Sequence, residues 1–361
     1  MSRVARVEAI PFRLPVRGEL RWGKHGQLAA AEHVLVRVHL DDGTRGHAEA
    51  PPRPSIYGET AESVVAIVRH LEPRLMGLLV DDEPAIGGVL ASVRNNNTAL
   101  GALDMALWDA RVRSRGQNLI QALAGPARRV RVSYILGISG PEESLEEARR
   151  AYGDGVRVFK VKVGRDHARD LRVARALRDE FAGAAVDIYA DSNETLSPAG
   201  AADALAVMRD EGILWVEEPL PVQLLRERSA LRAAGILPLI ADDSAFTRAD
   251  LERELAFDTF DVLNLKPART GFTASRAMLH RAREAGKGVM VGSQAGTTLG
   301  TFHAALVASW DGVDYPSELS FFTRLEDEIV NLRPRIEEGF LSLDDFAGLD
   351  VVDEHLERCR L

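Results

Sequence analysis

Charged residues recur at nearly constant spacing along the second half of the chain. Lys160 and Lys162 come first. Asp191 stands 29 residues after Lys162, Glu217 another 26 on, Asp242 another 25 on and Lys266 another 24 on. Each lies in or just after a short apolar run, and each interval is the length of one strand–helix unit. In a barrel of such units the strand ends face one common site, so these residues are expected to become neighbours. Taken singly they read otherwise: an Asp after a strand is usually a turn residue or helix cap, and a strand-end Lys usually keeps its head in water. Register over five consecutive strands outweighs that reading. Three carboxylates on adjacent strands suit a hard divalent cation such as Mg²⁺, which prefers oxygen ligands and keeps positions open for substrate. Lys160 and Lys162, two apart on a strand, point to one face. Two like charges so close, and desolvated, are expected to have lowered pKa values, and a lysine so tuned can act as a general base. Lys266 arrives from the far side of the barrel. A metal flanked by two amines suits removal of a proton α to a carboxylate.

The elements that must position these groups follow from patterning. Short strand-like runs lie at Val130–Ile135, Arg157–Val163, Ala185–Ala190, Leu214–Val216, Leu237–Ala241, Val262–Leu265, Gly288–Val291 and near Gly312–Tyr315, with helical segments such as Leu171–Glu180, Ala201–Arg209 and Ala274–Ala285 between them. Eight strands alternating with helices predict a (β/α)8-type barrel. Ahead of it, Val4–Pro11, His33–Leu40 and Thr44–Glu49 alternate as strands of a small antiparallel sheet, the last two joined by the turn Asp41-Asp42-Gly43. Glu59–Leu71 and Thr98–Arg115 carry helical periodicity, with Asn97-Thr98 as the expected N-cap. Two polar stretches, Arg17–Gln27 and the proline-rich Pro51–Gly58, read as loops that close over the barrel mouth. They make Trp22, His25 and Tyr57 candidates for substrate contact. The predicted organisation is an α+β unit over 1–125, a barrel over 126–318, and a final segment, 319–361, that folds back on the first unit.

With these segments in view, the chain resembles the enolase superfamily, in the mandelate racemase and muconate-lactonizing branch. The matching segments are Phe159-Lys160-Val161-Lys162-Val163-Gly164, Ala190-Asp191-Ser192-Asn193, Val216-Glu217-Glu218-Pro219, Ala241-Asp242-Asp243-Ser244 and Asn264-Leu265-Lys266-Pro267-Ala268-Arg269-Thr270-Gly271; Ile56–Thr60 and Ala102–Asp109 resemble the family's capping domain and the helix that follows it, and Pro316–Leu319 a segment at its eighth strand. The resemblance implies a capping domain over a (β/α)7β barrel of the TIM type. It also implies Mg²⁺, or Mn²⁺ in its place, on Asp191, Glu217 and Asp242. Lys162 would be the base on one face, tuned by Lys160, and Lys266 would stand on the other. Abstraction of an α-proton to a metal-stabilised enediolate is the chemistry of enolase-type sites. Asn193 and Asp243 are expected beside the metal ligands, and Gln294 and Glu318 beside substrate. Asp243 stands where the family often has Glu, and Phe272 where a second Gly is common. The segment Gly292–Gly296 lacks an acid that some relatives carry. Ile56–Thr60 looks like the racemase and epimerase members, whereas the Glu318 segment looks like the cycloisomerases. An acid-sugar or hydroxy-acid dehydratase would use the same first step.

Composition bounds the rest. The 361 residues are 46% hydrophobic and 27% charged, with formal net charge −9 and scattered Lys and Arg, which gives nucleic-acid binding no support. One cysteine, Cys359, excludes an internal disulfide framework and any multi-thiolate zinc site. No apolar run reaches the length of a membrane span, and Met1–Phe12 reads as a strand rather than a signal peptide, so the cytoplasm is expected. The expected partner is a small-molecule carboxylate, met by a homo-oligomer. An inactive barrel with a binding or structural role is the reading from another class. The presence of all three carboxylates and all three lysines argues against it.

Overall fold

The computed structural model describes residues Met1–Leu361. The chain opens with a long hairpin, β1 (Val4–Trp22) and β2 (Gly26–Leu40), joined antiparallel to β3 (Arg45–Ala50). The stretch Arg17–Gln27, expected as a loop, is instead the outer end of this hairpin. After a bulge beyond Pro15 the pairing resumes at Leu20↔Leu28 and ends at Trp22↔Gly26, leaving only Gly23-Lys24-His25 as the turn. The cause is a buried alternation, Leu14, Val16 and Leu20, that carries the strand past its polar residues. Gly26 is needed there because a Cβ would lie 2.4 Å from the Trp22 ring.

Pro51–Gly58 is not wholly loop either. It contains α1 (Pro54–Tyr57) and leads to α2 (Ala61–Leu75), α3 (Glu83–Leu90), α4 (Asn97–Ser114) and α5 (Leu119–Leu123). The cap of α4 differs from the sequence expectation. The N-cap is Asn96, in the left-handed region and without a side-chain cap bond. The orphan amides of Thr98 and Ala99 are met by the Glu59 carboxylate at 3.1 and 3.4 Å, across 39 residues of sequence.

The expected first barrel run divides in two: β4 (Arg129–Arg131) lies outside the barrel, and β5 (Tyr134–Leu136) opens it. From β5 the chain alternates through α6 (Pro141–Gly153), β6 (Val158–Lys162), α7 (His167–Glu180), β7 (Asp187–Asp191), α8 (Pro198–Asp210), β8 (Val216–Glu217), α9 (Leu225–Ala233), β9 (Leu239–Ala241), α10 (Arg248–Phe257), β10 (Val262–Leu265), α11 (Pro267–Glu284), β11 (Gly288–Val291) and α12 (Thr298–Ala308). β5 to β11 form one curled parallel sheet in sequential order, a TIM-type barrel under an N-terminal cap. The run at Gly312–Tyr315 is no strand. Closure comes slightly later, where Ser317 bridges Val132 and Glu318 N donates to Val291 O at 2.8 Å, so a single extended stretch fills the eighth place.

The interior of the barrel below its mouth is a separate small core of Val158, Tyr189, Ile240, Val262 and Met290, with Trp215 and Tyr315 packed on it. The last segment adds β12 (Ile336–Glu337) and β13 (Phe340–Ser342), which pair with β4, and α13 (Asp353–Cys359). It also returns to the cap through the bridges Val16↔Leu325 and Phe12↔Arg360 and the Arg37–Asp353 ion pair. No helix is long and apolar enough to cross a membrane.

Candidate active site

Strand register places the charged residues. Lys160 and Lys162 both point inward from β6, and Lys162 pairs with Asp191 at the end of β7, which in turn pairs with Glu217 at the end of β8. Glu217 pairs with Ile240, so Asp242, just past β9, sits one inward step higher; Lys266 follows β10 in the same way. β6 and β10 lie four strands apart in the sheet order, on opposite sides of the barrel. Lys160, Lys162, Asp242 and Lys266, with Asn193, Asp243 and Glu318, line one cavity under the cap.

Each carboxylate is closed on a lysine. Lys160 Nζ donates to Glu217 Oε1 at 2.6 Å and Glu318 Oε1 at 2.5 Å, and is 2.9 Å from Asp191 Oδ2. Lys162 Nζ donates to Asp191 Oδ2 at 2.5 Å and Asn193 Oδ1 at 3.1 Å. Lys266 Nζ donates to Asp242 Oδ2 at 2.5 Å, and Arg269 reaches Asp242 Oδ1 at 3.2 Å. The lowered lysine pKa expected from the Lys160–Lys162 spacing is not what this environment produces at Lys160. Burial opposes its charge, but Asp191, Glu217 and Glu318 outweigh burial and hold the ammonium well above its ordinary pKa. Lys266 is likewise raised, burial being overcome by Asp242 and Tyr57. The sequence reading counted the two amines and omitted the acids that converge on them.

The carboxylates differ among themselves. Asp191 and Asp242 are held below the usual range, because their lysine partners (with Arg269 at Asp242) overcome burial. Glu217 is pushed well above it, by burial first and by the repulsion of Asp191, Glu318 and Asp242, against which Lys160 alone does not suffice. Asp243 is raised to about 7 by burial and the neighbouring Asp242. The site is therefore short of positive charge at Glu217.

No three acidic, His or Cys side chains stand around a ready-made metal cage. The residues nonetheless fit a divalent cation by their chemistry. The donors are all hard carboxylate oxygens on three adjacent strands, the central one shares its only lysine with Asp191 and Glu318, and Asn264 Oδ1 is buried beside them without a partner while its amide donates to Glu217 Oε2 at 3.1 Å.

Backbone strain gathers here too. Asn193, Glu194, Glu218 and Ala295 all have positive φ without being glycine, and all follow strand ends at the mouth. Gly292 leaves room for the site: a Cβ would lie 2.1 Å from Asn264 Oδ1 and 2.7 Å from Lys266 Cε.

The cap supplies the roof. Trp22 and Tyr57 line the cavity with Leu20, Leu28, Ile56 and Phe321, and Gln294 lines it from beyond β11. His25 does not line it; it sits at the hairpin turn in an adjoining open cleft with Lys24 and Gln223. The Tyr57 hydroxyl is buried without a hydrogen-bond partner.

The first domain-length sequence pattern to match is the mandelate racemase / muconate lactonizing enzyme N-terminal domain, over residues 23–124; an enolase C-terminal domain-like pattern matches residues 143–352. The chain belongs to the enolase superfamily, in its muconate-lactonizing-enzyme subgroup. The L-Ala-D/L-Glu epimerase of Bacillus subtilis is 30% identical over 85% of either chain. A hydrophobic dipeptide epimerase of Citrifermentans bemidjiense is 29% identical over 95% of this chain and 94% of its own. The crystal structure of muconate lactonizing enzyme from Mycobacterium smegmatis complexed with muconolactone superposes with a TM-score of 0.93 at 35% identity, covering 99% of this chain and 100% of that one. The barrel is thus that of an enzyme of the superfamily's isomerase type, with a fold shared by racemases, epimerases and cycloisomerases.

Residues that sequence reasoning passed over also hold the site. Glu218, one residue after Glu217, is buried and accepts from Asp242 N at 2.6 Å, Ser244 N at 3.0 Å and Ser244 Oγ at 2.5 Å, with Arg228 behind it. It fixes the backbone that carries Asp242. Arg165, in the loop after β6, donates to Gly23 O at 2.6 Å, Trp22 O at 3.2 Å and Gly26 O at 3.3 Å, and so pins the hairpin tip to the barrel. The Glu-Glu-Pro sequence was a usable signal for Glu218; Arg165 had none.

Proposed function

We propose that the chain is a divalent-metal-dependent isomerase that removes the proton α to the carboxylate of a small-molecule substrate and returns a proton to the same carbon. A racemase or epimerase of an amino-acid derivative does this. The observation that carries the reading is the placement of Lys162 and Lys266 in one cavity from strands on opposite sides of the barrel, with carboxylates between them. An α-carbon held between the two amines shows one face to each, so one amine takes the proton and the other delivers one to the opposite face. Asp191, Glu217 and Asp242 would hold Mg²⁺, or Mn²⁺ in its place. The bound cation would supply electrostatic stabilisation of the charge that gathers on the substrate carboxylate as the α-proton leaves. Lys160, enclosed by three carboxylates, acts as a fixed positive charge that orients them. The apolar roof of Leu20, Trp22 and Leu28 keeps water from the reacting carbon.

A second reading is favoured by the 35% identity with the muconate lactonizing enzyme over nearly the whole chain. In a cycloisomerase one lysine moves the proton, and the other stabilises charge.

Deuterium exchange at the α-carbon in D₂O, read by NMR on separate enantiomers of carboxylate substrates, tests both. For a racemase, Lys162→Ala and Lys266→Ala each lose exchange of one enantiomer by roughly 10²–10⁴-fold and keep part of the other. For a cycloisomerase, one variant loses exchange and the other slows without stereochemical bias. Near wild-type exchange in both variants overturns both readings.

A further inference from the structure

The loop after β11 forms a stretch of cavity wall that no strand ladder holds. Ser293, Gln294 and Ala295 line the cavity from it. Ala295 has φ 56°, a left-handed conformation that a residue with a Cβ keeps only where its surroundings impose it. The floor fixes one end of the loop, where Ser293 N donates to Glu318 Oε2 at 2.8 Å.

The cap fixes the other end, through a carboxylate that takes no part in the proton transfer. Glu49, on β3, is 1% exposed and reaches across from cap to barrel. Its Oε1 accepts from Thr297 N at 2.8 Å, and its Oε2 accepts from the Thr297 hydroxyl. Thr297 is the N-cap of α12, where the helix dipole favours a negative charge. The barrel is shaped to admit this side chain: a Cβ at Gly300 would lie 2.2 Å from Glu49 Oε1, and one at Gly296 2.9 Å. Two more cap residues complete the hold. Arg53 Nη2 donates to Gln294 O at 2.5 Å, to Ala295 O at 3.5 Å and to His33 Nε2 at 3.1 Å. A guanidinium can only donate, so the His33 proton sits on Nδ1, which faces Glu49 Oε1 at 3.7 Å. The carbonyls of Gln294 and Ala295 and the amide of Thr297 are thus all met from the cap.

We propose that Glu49 is a positioning residue: from the cap it holds the loop after β11 in its strained shape, so that the barrel presents this wall to substrate only with the cap docked. The inference rests on the proposed isomerase reading for substrate meeting this wall.

Three variants test it. Gly300→Ala leaves Glu49, Thr297 and the loop residues in place and crowds the carboxylate off Thr297. Replacing a glycine inside α12 by itself favours the helix, so this variant separates positioning from stability. Glu49→Ala removes the carboxylate. Glu49→Gln keeps its shape, with an oxygen for the Thr297 amide and an NH₂ for the Thr297 hydroxyl, and serves where Glu49→Ala does not fold. Hydrogen–deuterium exchange of the full chain, read by mass spectrometry, reports on the loop without any ligand. Glu49→Ala and Gly300→Ala are expected to speed exchange over residues 293–297 by about tenfold or more while β6 to β8 stay protected, and Glu49→Gln should restore most of the protection. Turnover is read as α-deuterium incorporation from D₂O into L-Ala-L-Glu and L-Ala-L-Phe in MgCl₂. In the same two variants KM should rise by roughly tenfold to a hundredfold with kcat within about threefold of wild type, and Glu49→Gln should recover most of the loss. Adding Gln294→Ala to Glu49→Ala should raise KM by less than the product of the two single effects, because both act on one wall. Unchanged loop exchange in both variants overturns the proposal. So does a loosened loop with KM unmoved, or a fall in Tm with neither loop exchange nor KM altered, which marks Glu49 as glue between the domains. Failure of the isomerase reading shows separately, as no deuterium in either dipeptide with wild type; loop exchange then decides alone whether Glu49 holds the wall.

Discussion

The floor of the cavity is made by the ends of successive parallel strands, whereas its roof is made by one hairpin tip and one short helix of the cap. On the floor, Lys162, Asp191 and Glu217 are fixed by the hydrogen-bond ladder itself, because each stands in register with the next. The roof has no such ladder across it. Trp22 is held by the turn geometry of its hairpin and by the Arg165 clamp, and Tyr57 by its edge-on contact with Phe246 at 5.0 Å. Charge follows the same division: the floor is a buried array of acids and lysines, the roof mostly apolar with Arg53 alone as a cation. A regular scaffold presents chemistry at fixed intervals, and an irregular cover shapes what enters. Substitutions on the floor should therefore remove catalysis, and substitutions in the roof should redistribute it among substrates.

The largest effect is expected at Asp242. Asp242→Asn should abolish turnover by 10³-fold or more and also abolish any rise in Tm with Mg²⁺. In wild type, Mg²⁺ at a hundred times its Kd should stabilise by about 2.7 kcal/mol. A metal-dependent Tm rise of wild-type size in the variant would detach Asp242 from the metal.

Next comes the support under the floor. Glu218→Ala leaves the buried amides of Asp242 and Ser244 without an acceptor, while Arg228 keeps its closer partner Glu254 at 2.7 Å, and should cost about 1–3 kcal/mol in urea unfolding. A cost below 1 kcal/mol would mean the strand ends hold themselves.

A smaller, differently shaped effect is expected in the roof. Trp22→Ala and Arg165→Met should change the kcat/KM ratio of two substrates by about 1–2 kcal/mol, mainly through KM, with Tm almost unmoved. Equal losses for every substrate would erase the distinction between floor and roof.

The smallest effect lies outside the cavity. Glu328, in the returning segment, accepts from Thr298 Oγ1 at 2.6 Å at the start of α12, and burial raises its carboxyl to about 7. The folded state therefore holds this proton more tightly than the unfolded one, so its contribution to stability is present below the ordinary carboxylate pKa and declines as pH rises toward 7. Glu328→Gln keeps an acceptor for Thr298 and has no charge to bury. It should match wild type near pH 4.5 and be more stable at pH 8 by roughly 1–3 kcal/mol in thermal denaturation. Equal pH profiles would show that Glu328 stays ionised and solvated.

Much of this division was already legible, and unevenly. The floor could be read because the barrel converts a spacing of 24 to 29 residues into adjacency. The roof could be read only as polar composition, and composition misjudged it: Arg17–Gln27 is strand apart from its turn, and His25 points to the neighbouring cleft. Glu59 shows the same limit, since no local pattern announces a helix cap supplied across 39 residues.

The sequence by itself determined the repeat of strand and helix, the inward pairing of Lys160 with Lys162 and the order of the acids around the mouth, because these depend on side-chain periodicity and chain order alone. Tertiary structure decided the protonation of Lys160, the crowding of acids at Glu217 and the burial of Arg53 among carbonyls and an imidazole rather than carboxylates. Those properties are sums over neighbours brought from distant parts of the chain. Burial strengthens every charge in the sum, so one residue such as Glu318, folded into the centre from 158 positions away, sets the state of Lys160.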